Sequence, residues 1–120
     1  MFEIDPMSRV PVYEQIITQI EKFIATGLIR SGDRLPSVRS LSIEISANPN
    51  TVQRAYGELD ANGIIVNVPG KGCFVSENAL AVLRERAMKR LPELTALVYE
   101  LSAAGITPEE INEAVLKAIK

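Results

Sequence analysis

The stretch that decides the fold reads Ser37-Val38-Arg39-Ser40-Leu41-Ser42-Ile43-Glu44-Ile45-Ser46-Ala47-Asn48-Pro49-Asn50-Thr51-Val52-Gln53-Arg54-Ala55-Tyr56-Gly57-Glu58-Leu59. Ser37 follows a proline and can cap a short helix whose apolar positions are Val38, Leu41 and Ile45. Ser46 and Ala47 supply a tight turn. Asn48 then offers a second cap, and Pro49 takes the first helical position, where its missing N–H costs nothing. In the helix that follows, Val52, Ala55, Tyr56 and Leu59 fall at i, i+3, i+4 and i+7 and form one apolar face. Asn50, Thr51, Gln53, Arg54 and Glu58 point elsewhere. The pattern predicts a short helix, a turn and a second helix with a polar front.

Upstream, Val12, Ile16, Ile20, Phe23 and Ile24 recur at helical spacing up to Gly27, which predicts an amphipathic first helix. A turn over residues 29–34 leads into a short extended piece at Arg34 to Pro36, with Leu35 as its buried residue. Downstream of Asn62-Gly63, two extended runs, Ile64 to Val68 and Cys73 to Val75, flank Pro69-Gly70-Lys71-Gly72. They predict a hairpin with a glycine-rich tip. A hairpin directly after the helix pair is the order of a winged helix-turn-helix. In that motif the second helix of the pair enters a major groove and the wing meets the sugar-phosphate wall. Tyr56 and Phe74 read as core, and Cys73 as a small apolar strand residue.

After Ser76, Leu83, Ala87, Leu91, Leu94, Val98 and Leu101 form an apolar stripe, interrupted by Pro92, where a kink or break is expected. Thr107-Pro108-Glu109-Glu110 carries a capping box at the start of a last helix, whose face is Ile111, Ala114, Val115, Ala118 and Ile119. The expected class is mostly α with a small β-hairpin. Residues 1–76 form the winged domain and residues 77–120 a helical tail.

Composition narrows the function. Apolar residues make up 47% and charged residues 23% of the 120 residues, the profile of a folded domain and not of a disordered one. The net charge of -2 opposes coating of nucleic acid by bulk electrostatics, so any DNA site is local. With one cysteine and no histidine, the usual zinc ligands and the usual neutral-pH general base are missing, and no catalytic, metal or cofactor site is expected. Glu109-Glu110 are explained by the dipole of a helix's first turn. No run nears the ~18 apolar residues of a membrane span and the start is unlike a secretory signal, so the expected location is cytoplasmic.

Four blocks now fall into place: residues 32–41 (GDRLPSVRSL), residues 50–59 (NTVQRAYGEL), Gly63-Ile64-Ile65, and residues 70–75 (GKGCFV). Together they resemble the DNA-binding domain of the GntR family of transcriptional regulators. The resemblance implies DNA contacts from Arg39, Asn48, Asn50, Thr51, Gln53 and Arg54, with Gly70 and Lys71 on the wing. The side-chain chemistry agrees: arginine grips guanine bidentately, and asparagine and glutamine pair likewise with adenine. Many members carry arginine where this chain has Pro49 and Gln53, so roles there do not transfer. Asn48 and Pro49 chiefly set the helix. Arg54 and Arg39 have a plainer alternative as solvated charges beside Glu58 and Glu44.

Only a short segment follows Ser76, too little to enclose a metabolite, which narrows the resemblance to the small YtrA-like branch with a helical dimerisation tail. The faces at Leu83, Ala87, Leu91, Leu94, Val98, Leu101, Ile111, Val115 and Ile119 need cover, and a second copy is the simplest supply. The expectation is a homodimeric repressor on an inverted-repeat operator. Any small-molecule effector is unassigned. The alternative is a winged helix used for protein contact without specific DNA binding.

Overall fold

In the computed structural model, residues 1–119 are described; Lys120, the end of the expected tail, lies outside the described residues. The helices are α1 (Val12–Ala25), α2 (Val38–Glu44), α3 (Pro49–Ala61), α4 (Ala79–Met88), α5 (Leu91–Ala103) and α6 (Pro108–Ile119). Between α3 and α4 runs an antiparallel hairpin, β1 (Ile65–Val68) and β2 (Gly72–Val75), in which Ile65 faces Val75 and Val68 faces Gly72. The chain forms two compact units that divide inside α4, one spanning Met1–Arg84 and the other running from Glu85 on.

The first unit is a winged helix-turn-helix. Ile16, Ile20 and Ile24 of α1, Leu41 of α2, and Val52, Ala55, Tyr56 and Leu59 of α3 are buried together with Leu35, Ile64, Ile65, Val75 and Ala79. Tyr56 brings a polar tip into this core, and its hydroxyl donates to the Pro36 carbonyl at 2.7 Å. Burial pushes that phenol far up from its usual range, so the tip stays a neutral donor. The piece at Asp33 to Leu35 lies alongside β2: Leu35 N–H donates to Cys73 O and Val75 N–H to Asp33 O, both at 2.9 Å.

Local chemistry fixes each boundary. Ser37 Oγ accepts from Ser40 N–H at 3.0 Å and Asn48 Oδ1 from Asn50 N–H at 2.8 Å, so both expected caps form. Between the two helices Ser46 has φ 54°, the one non-glycine residue in left-handed conformation among the described residues. That twist closes α2 through Ala47 N–H to Ser42 O and turns the chain into α3. At the end of α3, Gly63 takes φ 77° and the Ile64 N–H reaches back to Leu59 O at 2.9 Å, launching the hairpin.

The residues before α1 fold back along it. The Gln15 amide accepts from Asp5 N–H and donates to the Asp5 and Val10 carbonyls, while Gln19 accepts from Glu3 N–H and donates to its carbonyl. Two glutamines one turn apart thus imitate a neighbouring strand for an arm that would otherwise leave its backbone unpaired. Phe2 completes the clasp, edge-on to Phe23 with ring centroids 5.4 Å apart.

In the second unit the break expected at Pro92 is present: α4 ends at Met88 and α5 begins at Leu91, with the proline in its first turn. The Thr107 capping box forms as expected, Glu110 Oε1 accepting from Thr107 N–H at 3.1 Å and Thr107 Oγ1 from Glu110 N–H at 3.2 Å. Neither α5 nor α6 contains a buried residue.

Candidate nucleic-acid interface

Helix α3 presents two faces. Val52, Ala55, Tyr56 and Leu59 hold it to the core, and the opposite side carries Asn50, Gln53, Arg54 and Gly57, all exposed. This is the face the sequence singled out. Asn48 is committed to the cap through Oδ1, and Thr51, half-buried, lines a hollow with Ile4, Pro6 and Val12 of the arm and first helix. Gln53 looks the other way, over a small cleft of about 130 Å³ that it shares with Val38, Asn67 and Cys73 and that runs to the foot of the wing. Arg39 stands exposed in the first turn of α2 and forms no ion pair among the described residues.

Arg54 is held on two sides. Its guanidinium lies over the Tyr13 ring, 3.7 Å from the centroid, and its Nε is 3.6 Å from Glu58 Oε1. The pairing with Glu58 considered from sequence therefore exists, but both side chains are largely solvated and such a pair is weak. Tyr13 was not foreseen as part of this face. The available signal was its position: it is an aromatic that stands off the apolar stripe of α1. Desolvation and the hydrogen bond from its hydroxyl to Glu14 raise its pKa, so the ring is that of a neutral phenol at physiological pH.

At the wing, Pro69 and Gly70 occupy the middle of a turn closed by Lys71 N–H to Val68 O at 2.9 Å, and the Lys71 side chain is exposed. Gly72 has φ 116°, and a Cβ there would sit 3.0 Å from Arg34 Nε, so the arginine from the extended piece lies flat against the wing backbone. Arg34 thereby joins Lys71 on the hairpin as a second wing cation. From the extended piece to the end of the hairpin, the cations Arg34, Arg39, Arg54 and Lys71 stand against the acids Glu44, Glu58 and Asp60, so this segment is close to neutral overall. Cys73 is half-buried, its thiol pushed up by desolvation, and donates to Asn67 Oδ1 at 3.7 Å. No group of three or more potential metal-ligating residues occurs among the described residues.

The expected tail residues divide. Leu83 packs against the core of the first unit. Ala87, Leu91, Leu94, Leu101, Val115 and Ile119 are exposed, and Val98 and Ile111 are half-buried within the second unit.

Residues 12–75 match the family described as bacterial regulatory proteins, gntR family. The chain is 45% identical over 114 residues to the HTH-type transcriptional repressor YtrA of Bacillus subtilis, covering 94% of this chain and 88% of that protein. Among solved structures it resembles a GntR family transcriptional regulator from Listeria monocytogenes, with a TM-score of 0.74 and 38% identity over 92% of this chain and 96% of that one. The DNA-binding domain of AraR, solved in complex with operator ORX1, superposes with a TM-score of 0.55 and 28% identity over 63% of this chain and 93% of that one.

Proposed function

Because this chain belongs to the GntR family and is a DNA-binding transcriptional regulator, we propose that it works as a homodimeric repressor seated on an inverted-repeat operator. One observation carries the DNA-facing half of this reading: Asn50, Gln53 and Arg54 project together from the side of α3 that faces away from the core. Laid in a major groove, these side chains meet base edges, with Thr51 and the capping Asn48 at the helix front and Arg39 on the adjoining phosphates. The Gly70-Lys71 turn, with Arg34 beside it, then meets the neighbouring backbone. Repression follows by occupancy, which needs no chemistry, and the place of action is the cytoplasm.

The second half rests on the tail. Leu91, Leu94 and Ile119 are 50%, 47% and 75% exposed, an apolar cost that a second copy of the chain removes. In this reading residues 77–120 pair two copies through Ala87, Leu91, Leu94, Val98, Leu101, Ile111, Val115 and Ile119, and residues 1–76 read one half-site each. Leu83 anchors the tail's first helix to the winged domain instead of meeting the partner.

Duplexes selected from a random-sequence pool by the protein, compared with scrambled versions in titrations at several salt concentrations, test the proposal. Selected duplexes should bind at least about a thousandfold more tightly. Lys71→Ala should weaken all duplexes alike and reduce the salt slope by about one. Equal affinity for selected and scrambled DNA would sink it.

A further inference from the structure

We infer that Tyr13, on the first helix, is a positioning residue for base reading by Arg54: its ring is the platform on which the guanidinium is set before DNA arrives. The inference rests on the proposal that α3 reads DNA. An exposed arginine samples many rotamers, and docking must freeze them. Here the guanidinium carbon already lies over the Tyr13 ring, 3.7 Å from its centroid, a separation that fits face-on stacking. Stacking uses the face and leaves the edge free. Glu58 Oε1 stands 3.6 Å from Nε, beyond hydrogen-bonding distance, and Arg54 donates no hydrogen bond among the described residues, so the two terminal nitrogens keep their donors open for a pair of acceptors such as guanine O6 and N7. The Tyr13 hydroxyl makes its hydrogen bond to Glu14 and none to Arg54.

The ring therefore should matter and the hydroxyl little. On the duplex that the wild-type protein selects from a random-sequence pool, Tyr13→Phe should bind within about twofold of wild type. Tyr13→Leu should lose about two- to fivefold. Its discrimination should blur at the same base pair where Arg54→Ala loses discrimination. In an Arg54→Ala background, Tyr13→Leu should add nothing. Tyr13→Met, unbranched and able to fill the same space, gives a second readout should Leu disturb the helix packing, and thermal unfolding of each variant registers that. Wild-type affinity for Tyr13→Leu and Tyr13→Met, or an equal loss with and without Arg54, would overturn the positioning role while leaving DNA reading by α3 intact. If Arg54→Ala binds every single-base variant like wild type, Arg54 does not touch DNA, and the role of Tyr13 falls with it.

Discussion

Gly57 lies in the interior of α3, on its outward face, with ordinary helical φ and nothing within 4 Å of where a Cβ would be. No intramolecular contact explains it, and a helix-interior glycine costs about 1 kcal/mol relative to alanine. Gly57→Ala should therefore raise stability by about that amount in urea unfolding, and an unchanged midpoint would show that α3 is held by its packing alone. Ser46 is the reverse case, an L-residue at φ 54° in the turn where a glycine would rest without strain. Relief of about 1 to 2 kcal/mol of left-handed strain, less the extra freedom that glycine has when unfolded, leaves a net gain of about 0.5 to 1 kcal/mol for Ser46→Gly. The same urea titration checks it; a loss of stability would mean that the serine side chain supports the turn.

Helix ends are where sequence and structure agree most closely, because capping is local: Asn48-Pro49 and Thr107-Pro108 each bring the acceptor and the preset φ within a few residues of the amide they serve. Glu110 shows what such a cap does with pH. The Thr107 backbone N–H and, next, its hydroxyl hold this carboxyl below its ordinary value of 4.5. A carboxyl whose folded pKa is depressed contributes stability that is complete above its unfolded pKa. That contribution is lost as pH falls below about 4.5 and through the lower folded value. Glu110→Gln keeps a neutral capping side chain, so in urea unfolding followed by circular dichroism the wild type should be the more stable above about pH 4.5 and the two should converge as pH falls through that acid range; a difference that does not change with pH would refute the assignment. Contacts between distant segments were not legible in the same way. The seat of Arg54 on Tyr13, the bed of Arg34 on Gly72 and the glutamine clasp of the arm depend on which helices meet, and no local period encodes that. Pro92 announced the break before α5, but the packing of Leu83 against the core depends on residues far from it in the chain.

For the whole molecule, the separation into two units makes the proposed dimer testable apart from the proposed DNA contacts of α3. Leu94→Glu with Leu101→Glu should shift sedimentation from dimer to monomer and leave affinity for a single half-site nearly unchanged. Affinity for the full inverted repeat should fall roughly a hundredfold or more, because the second contact is no longer tethered to the first. A variant that stays dimeric would place the interface elsewhere. The same arithmetic applies inside one chain to the clasp of Gln15 and Gln19 on the backbone of Glu3 and Asp5. Phe2 to Val10 is in effect a ligand supplied by its own protein, bound at the millimolar effective concentration that a short tether provides. A chain beginning at Pro11 would thus have a vacant peptide-binding groove along α1. A synthetic peptide spanning those residues would have to be added at about that concentration to refill it.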